Sequence, residues 1–195
     1  MDLWCVAPRL LDELGYFPLV FVLRTLSWVP FFGQALRELG CEFGHPSDAR
    51  MRALVARHHH AIVCPGGMRE GTRPFWNRYT VAWQDRTGYL SLAARYGMRV
   101  VPAASHGVDD LYLGLTSGEA ASRRLFGHGA MPIYLALGIG GVWPFALPFP
   151  AHIRTFFGQP LDVDDALSSD DAMAAIHTRV VAEVQRLLDR RMENR

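Results

Sequence analysis

One stretch constrains the fold more than any other: AIVCPGGMREGTR, residues Ala61 to Arg73. A short apolar run is stopped by Pro65, Gly66 and Gly67, and Arg69 and Glu70 follow at once. An apolar run this short, bounded by turn residues, predicts a strand. Proline removes a backbone donor and consecutive glycines admit positive φ, so the strand ends at the turn. The same glycines let the backbone pass close to a ligand, because no Cβ stands in the way. Arg69 then offers a planar fork suited to phosphate or carboxylate. On its own the turn reads equally well as a plain strand-to-loop connection. It lacks the Gly-Lys-Ser/Thr ending of a phosphate-binding loop, and the chain has no G-x-S-x-G nucleophile elbow.

Strand and helix signals alternate on both sides of this turn. Leu3, Val6, Leu10 and Leu14 recur near helical spacing, with Asp2 as the N-cap and Gly15 as the stop. GQALRELG predicts a short helix closed by Gly40, and SDARMRALVARHHH another, capped by Ser47 or Asp48. Beyond the turn, RTGYLSLAARYG predicts a helix, RVVPAAS a buried strand and HIRTFFGQPL a late strand. Near the end Met173, Ile176, Val180, Val184 and Leu187 recur at three and four, the mark of an amphipathic helix. The alternation predicts an α/β fold. Residues 1–195 are read as a single domain with a mixed, mostly parallel sheet flanked by helices.

Half the residues are hydrophobic and a fifth are charged, which fits a packed core and excludes a disordered chain. A net charge of +1 gives no global field for nucleic acid. Charge is uneven, however. Arg69, Arg73, Arg78, Arg86, Arg95 and Arg99 face only Glu70 and Asp85 over that span, so the middle of the chain either attracts an anion or forms a solvated face with scattered ion pairs. Cys5, Cys41 and Cys64 lack metal-ligand spacing and cannot all pair, which predicts core roles in a reducing compartment. The uncharged window Met131–Pro150 is long enough to span a bilayer, but four prolines break it, and it reads as buried loops and short strands. Tyr16–Phe32 gathers six aromatics around Pro18 and Pro30 and suits an apolar wall, an interfacial patch or core.

Order and spacing together say more than any one piece. CPGGMREG, then Trp83, Arg86, Gly88, Tyr89, Leu92 and Ala93, then Val101 and Pro102, resemble the third and fourth motif blocks of the glycerolipid acyltransferase superfamily. The similarity is to its monoacylglycerol/diacylglycerol acyltransferase-like branch. The late RTFFGQPLDVD resembles that branch's closing strand and turn. The resemblance implies a glycerol-phosphate acyltransferase-like fold and transfer of a fatty acyl group from a thioester, acyl-CoA or acyl carrier protein, to a hydroxyl of a glycerolipid or related lipid alcohol. It implies no metal or redox cofactor and a location on the cytoplasmic side of a membrane, peripheral or anchored by residues ahead of Met1. Pro65, Gly66, Gly67, Arg69, Glu70, Arg86 and Pro102 become substrate-binding candidates, with Glu70 and Arg86 supporting the turn by charge pairing.

Attack of an alcohol on a thioester needs a base for the hydroxyl proton and stabilisation of the oxyanion. The resemblance supplies a histidine for this, oriented by an aspartate five residues later, and Asp2 matches that aspartate. The histidine would then lie upstream of Met1, so the expectation is a domain truncated relative to the family and inactive as given. His45, His58, His59, His60 and His106 are weaker candidates for the base. The alternatives are a non-catalytic, membrane-associated lipid-binding module of the same fold, and an unrelated α/β domain binding an anionic metabolite at Arg69, Arg73 and Arg78.

Overall fold

The computed structural model describes residues 10–12, 15, 18–22, 27, 31–44, 46–58, 60–127 and 134–190. They fall into two compact units divided after Cys64. Asp2 and most of the helix expected over residues 3–14 lie outside the described residues, although residues 10–12 are helical.

In the first unit β1 (Leu19–Val22) pairs in parallel with β2 (Glu42–Phe43) on one side and β3 (Ala61–Ile62) on the other. Parallel neighbours need a crossover, and the intervening chain holds two helices, α1 (Phe32–Glu38) and α2 (Asp48–Arg57). α2 starts where expected: the Ser47 hydroxyl accepts a hydrogen bond from the Arg50 N–H at 3.4 Å. Val20, Leu36 and Cys41 form the core, and burial pushes the Cys41 thiol pKa up. The aromatic-rich N-terminal stretch therefore splits: Leu19 and Val20 are buried, whereas Phe31 is 89% exposed. Cys64 is exposed, so the expected core role fails for it. It lies beyond the last paired residue of β3, at the approach to the turn.

The second unit holds α3 (Gly67–Gly71), α4 (Gly88–Arg95), β4 (Ala103–His106), β5 (Leu113–Gly114), α5 (Gly118–Phe126), β6 (Ala136–Gly138), β7 (Gly141–Val142), β8 (Arg154–Phe157) and α6 (Asp170–Asp189). Here the expectation of a mostly parallel sheet is corrected. β8 runs antiparallel to β4, with Ala103 opposite Phe157 and His106 opposite Arg154. β5, β6 and β7 form a second antiparallel sheet. The physical reason is the connection: only Ile139 and Gly140 separate β6 from β7, and a two-residue link permits nothing but a hairpin. The described structure thus carries one parallel and two antiparallel sheets.

Tyr89, Leu90 and Ala93 from α4, Ala104 from β4, and Val180, Val184 and Leu187 from α6 close the core with Val163 and Ala166. Leu90 and Leu187 are wholly buried, each contributing about 1.5–3 kcal/mol relative to exposure. α6 is well specified: the Ser169 hydroxyl caps it by accepting from the Ala172 N–H at 3.1 Å, and Asp170 and Asp171 complement the positive end of the dipole. His177 bridges this core. Its Nε2 donates to the Gln84 carbonyl at 2.6 Å, since a carbonyl can only accept, and its Nδ1 accepts from the Tyr89 hydroxyl at 3.1 Å. Burial pushes the Tyr89 phenol far above its ordinary range.

The uncharged window is also corrected. Its described part does contain short strands, and Ala136 and Ala146 are buried, but its larger side chains form a surface: Leu135, Leu137, Ile139, Val142, Phe145 and Leu147 are exposed, Phe145 at 96%. Prolines 144, 148 and 150 cannot donate to a ladder, which confines the segment to a hairpin at a sheet edge. Among the described residues no helix is long and apolar enough to cross a membrane.

Candidate functional site

The glycine turn is built by two side chains that arrive from opposite directions in sequence. Glu70, in α3, folds its carboxylate back over Gly66, where an added Cβ would collide with it. The same carboxylate accepts from the Ala82 N–H at 2.8 Å and from the Trp83 indole N–H at 2.9 Å. Arg86 reaches back and donates through Nη1 to the Gly66 carbonyl at 2.8 Å and the Pro65 carbonyl at 3.1 Å. Gly67 has φ of +53°, the left-handed region that only glycine enters without strain. Glu70 and Arg86 do support the turn, as the sequence suggests, but by binding its backbone and Trp83 rather than each other. The PGG block and the W-x-x-R-x-G block thus meet in one hydrogen-bonded unit.

Arg69 pairs with a different element, α5. Its Nε and Nη2 donate to the two oxygens of Glu119 at 2.7 and 3.1 Å, a bidentate fork. Arg123, one turn further along α5, donates to the same carboxylate. These hydrogen bonds, Arg69's above all, hold the Glu119 carboxyl at about 2 against the opposing effect of burial, and Glu119 in turn raises the pKa of Arg69. Ser117 caps α5 through the Ala120 N–H, and the Gly118 N–H donates to the Thr72 carbonyl at 3.0 Å, which fixes the start of α5 beside the end of α3.

Between these elements lies a cleft of about 600 Å³ lined by Arg69, Arg73, Asn77, Thr80, Ser117, Glu119 and Arg123, with Pro74, Ala82 and Ala120 supplying apolar surface. Arg73 braces its wall, donating to the Glu70 carbonyl at 3.0 Å and to the Thr80 carbonyl, with Asp109 3.7 Å away. Arg78 pairs with Asp110 at 3.1 Å. Arg69, Arg73 and Arg78 therefore each face a carboxylate of the protein, which removes the support for an open three-arginine anion site.

The remaining sequence candidates divide plainly. Pro65, Gly66, Gly67, Arg69, Glu70 and Arg86 converge on the turn. Pro102 does not: it is buried at the entry to β4, where its carbonyl accepts from the Gly158 N–H at 2.8 Å. His106, a weaker candidate for the base, lies within β4, 3% exposed, with Nε2 donating to the Leu187 carbonyl at 3.0 Å and Nδ1 buried without a hydrogen-bond partner. It does not line the cleft. Glu119 and the whole of α5 were missed, although Ser117, Gly127 and the four-residue spacing of Glu119 and Arg123 are legible helix signals.

Arg69 thus connects the cleft to a P-G-G-x-R-E turn that is locked to a W-x-x-R-x-G helix start. The diacylglycerol acyltransferase family model matches residues 16–194, and the chain belongs to that family. An uncharacterized protein of Mycobacterium tuberculosis is 31% identical over 143 residues, covering 73% of this chain and 38% of the relative. Human acyl-CoA wax alcohol acyltransferase 2 is 24% identical over 185 residues, 90% of this chain and 55% of that protein. Mouse diacylglycerol O-acyltransferase 2-like protein 6 is 28% identical over 159 residues, 75% of this chain and 47% of that protein. The chain thus spans about half or less of the length of these relatives. No solved structure matches it.

Proposed function

We propose that the protein transfers a fatty acyl group from a thioester to the hydroxyl of a neutral lipid alcohol, a long-chain alcohol or an acylglycerol, at the cleft beside the glycine turn. The observation that carries this reading is the turn itself. Glu70 and Arg86 brace it from behind, and Arg69, which follows it at once, lines a cleft that offers Asn77, Thr80 and Ser117 to a hydroxyl and apolar surface to a chain. Family membership and relatives named for wax alcohol and diacylglycerol acylation support it. A match running through both units supports treating them as one acyltransferase-like domain, of the glycerol-phosphate acyltransferase-like kind that the resemblance implies.

In this reading Gly66 and Gly67 make room for the Glu70 carboxylate and the Arg86 guanidinium that set the turn, and Arg69 with Arg73 shapes the polar wall of the cleft. A base takes the hydroxyl proton as oxygen attacks the thioester carbonyl, and the thiolate leaves. We carry the base as the resemblance implies it, a histidine oriented by Asp2. The exposed apolar hairpin, residues 134–150, supports contact with a membrane surface, where such acceptors reside.

The test uses the protein at the length its own cell gives it, reconstituted in liposomes with radiolabelled acyl-CoA or acyl carrier protein and a panel of long-chain alcohols and acylglycerols. Labelled ester is the expected product. Liposome and alcohol binding without ester from either donor would replace the enzyme with a non-catalytic lipid-binding module.

A further inference from the structure

The cleft is lined by three arginines and one carboxylate, and that carboxylate occupies the best anion-binding geometry available. Arg69 Nε and Nη2 are the parallel donors that a phosphate would use, and Glu119 already accepts from both. Arg123 is drawn to the same carboxylate, and Arg73 is held by two backbone carbonyls next to Asp109. We propose that Glu119 is a specificity-determining residue: by filling the Arg69 fork and engaging Arg123, it excludes phosphate-bearing acceptors and reserves the cleft for uncharged alcohols. The proposal rests on the acyl-transfer reading.

The physics follows from what an incoming phosphate must do. To reach Arg69 it must displace Glu119, stranding a carboxylate that is only 8% exposed, or lie beside it and bear like-charge repulsion. A hydroxyl does neither, since Asn77, Thr80 and Ser117 line the same cleft. The carboxylate is fixed from its own helix, because Ser117 caps α5 and Gly118 is tied to Thr72, three residues beyond Arg69. Held ionised down to about pH 2, it is not discharged by mild acidification.

The experiment is equilibrium dialysis with radiolabelled inorganic phosphate on the wild type, Glu119→Gln and the double variant Glu119→Gln/Arg69→Ala, with circular dichroism and a melting curve for each. Parallel acyl-transfer assays compare monoacylglycerol with lysophosphatidate. Glu119→Gln should bind phosphate on the order of ten- to a hundredfold more tightly than the wild type, the range a charge-assisted pair gives. The double variant should lose that gain, and lysophosphatidate should gain as acceptor relative to monoacylglycerol. A folded Glu119→Gln that binds no tighter, or a gain that survives without Arg69, overturns the proposal. If Glu119→Gln does not fold, Glu119→Ser is read the same way. Wild-type protein that binds phosphate as tightly as it binds monoacylglycerol overturns the proposal without any variant. The dialysis needs no turnover, so a wild type that esterifies nothing defeats the acyl-transfer reading alone. A wild type that esterifies monoacylglycerol, with no phosphate gain in the variant, defeats only the role of Glu119.

Discussion

The glycine turn and the apolar hairpin are opposites within one unit. At the turn, short polar contacts determine the geometry: Glu70 accepts from two donors, Arg86 donates to two carbonyls, and Arg69 forks onto Glu119. The hairpin, residues 134–150, has no charged side chain and presents Phe145 and Leu147 to the outside. One region fixes atoms in place for recognition. The other leaves Phe145, Leu147 and their apolar neighbours uncovered. The difference teaches that stability and the membrane contact proposed for the hairpin are separable, and substitutions should affect one without the other.

The largest effect on stability is expected from Glu70→Ala, which leaves the Ala82 N–H and the Trp83 indole without their acceptor and removes the brace over Gly66. A loss of about 3 kcal/mol follows from two hydrogen bonds to a charged group and should appear in urea denaturation. A loss below about 0.5 kcal/mol would show that the turn is held by something else. Gly66→Ala should cost about 1–3 kcal/mol, because the new methyl group must push the Glu70 carboxylate aside. Tryptophan fluorescence would report the accompanying disturbance of Trp83.

Phe145→Ser should leave denaturation unchanged within about 0.5 kcal/mol, as a 96% exposed side chain has little native packing to lose. Liposome sedimentation should nevertheless fall about tenfold or more, given about 1.5–3 kcal/mol for burying a phenylalanine. Equal sedimentation of both proteins would remove the hairpin from the membrane contact. The smallest effect is on the acid limb of stability. The Glu119 carboxyl is depressed from 4.5 to about 2, so the folded state binds fewer protons than the unfolded in that window. Its contribution is complete above about pH 4.5 and is lost as pH falls towards 2. Glu119→Gln should flatten that part of the acid-unfolding curve, slightly, because Glu119 is one of nineteen acidic residues.

The same contrast explains what the sequence disclosed. Capped, periodic and punctuated elements were legible: Ser47 starts α2 where expected, the apolar positions Met173 to Leu187 all fall within α6, and Pro65–Gly67 ends the apolar run after β3. Glu70 and Arg86 were named from the turn, but their partners were not, since bonds to the Ala82 N–H and the Gly66 carbonyl depend on a fold-back that spacing does not encode. Glu119 escaped because its partner Arg69 lies fifty residues away. The hairpin was misjudged because an absence of charge says what a segment avoids, not whether anything covers it. Strand direction was lost for a related reason: the antiparallel pairing of β4 with β8 follows from the route of the residues between them, not from either strand's own side chains.

The most direct test of the central claim is ester formation from acyl-CoA and monoacylglycerol by the native-length protein in liposomes, wild type beside Arg69→Ala, with the fold of each checked by circular dichroism. The account predicts ester from the wild type and a rate at least about tenfold lower from a folded Arg69→Ala, as removal of a charge-assisted contact at the acceptor wall implies. Equal rates from the two proteins would take the catalytic cleft away from the glycine turn and contradict the account.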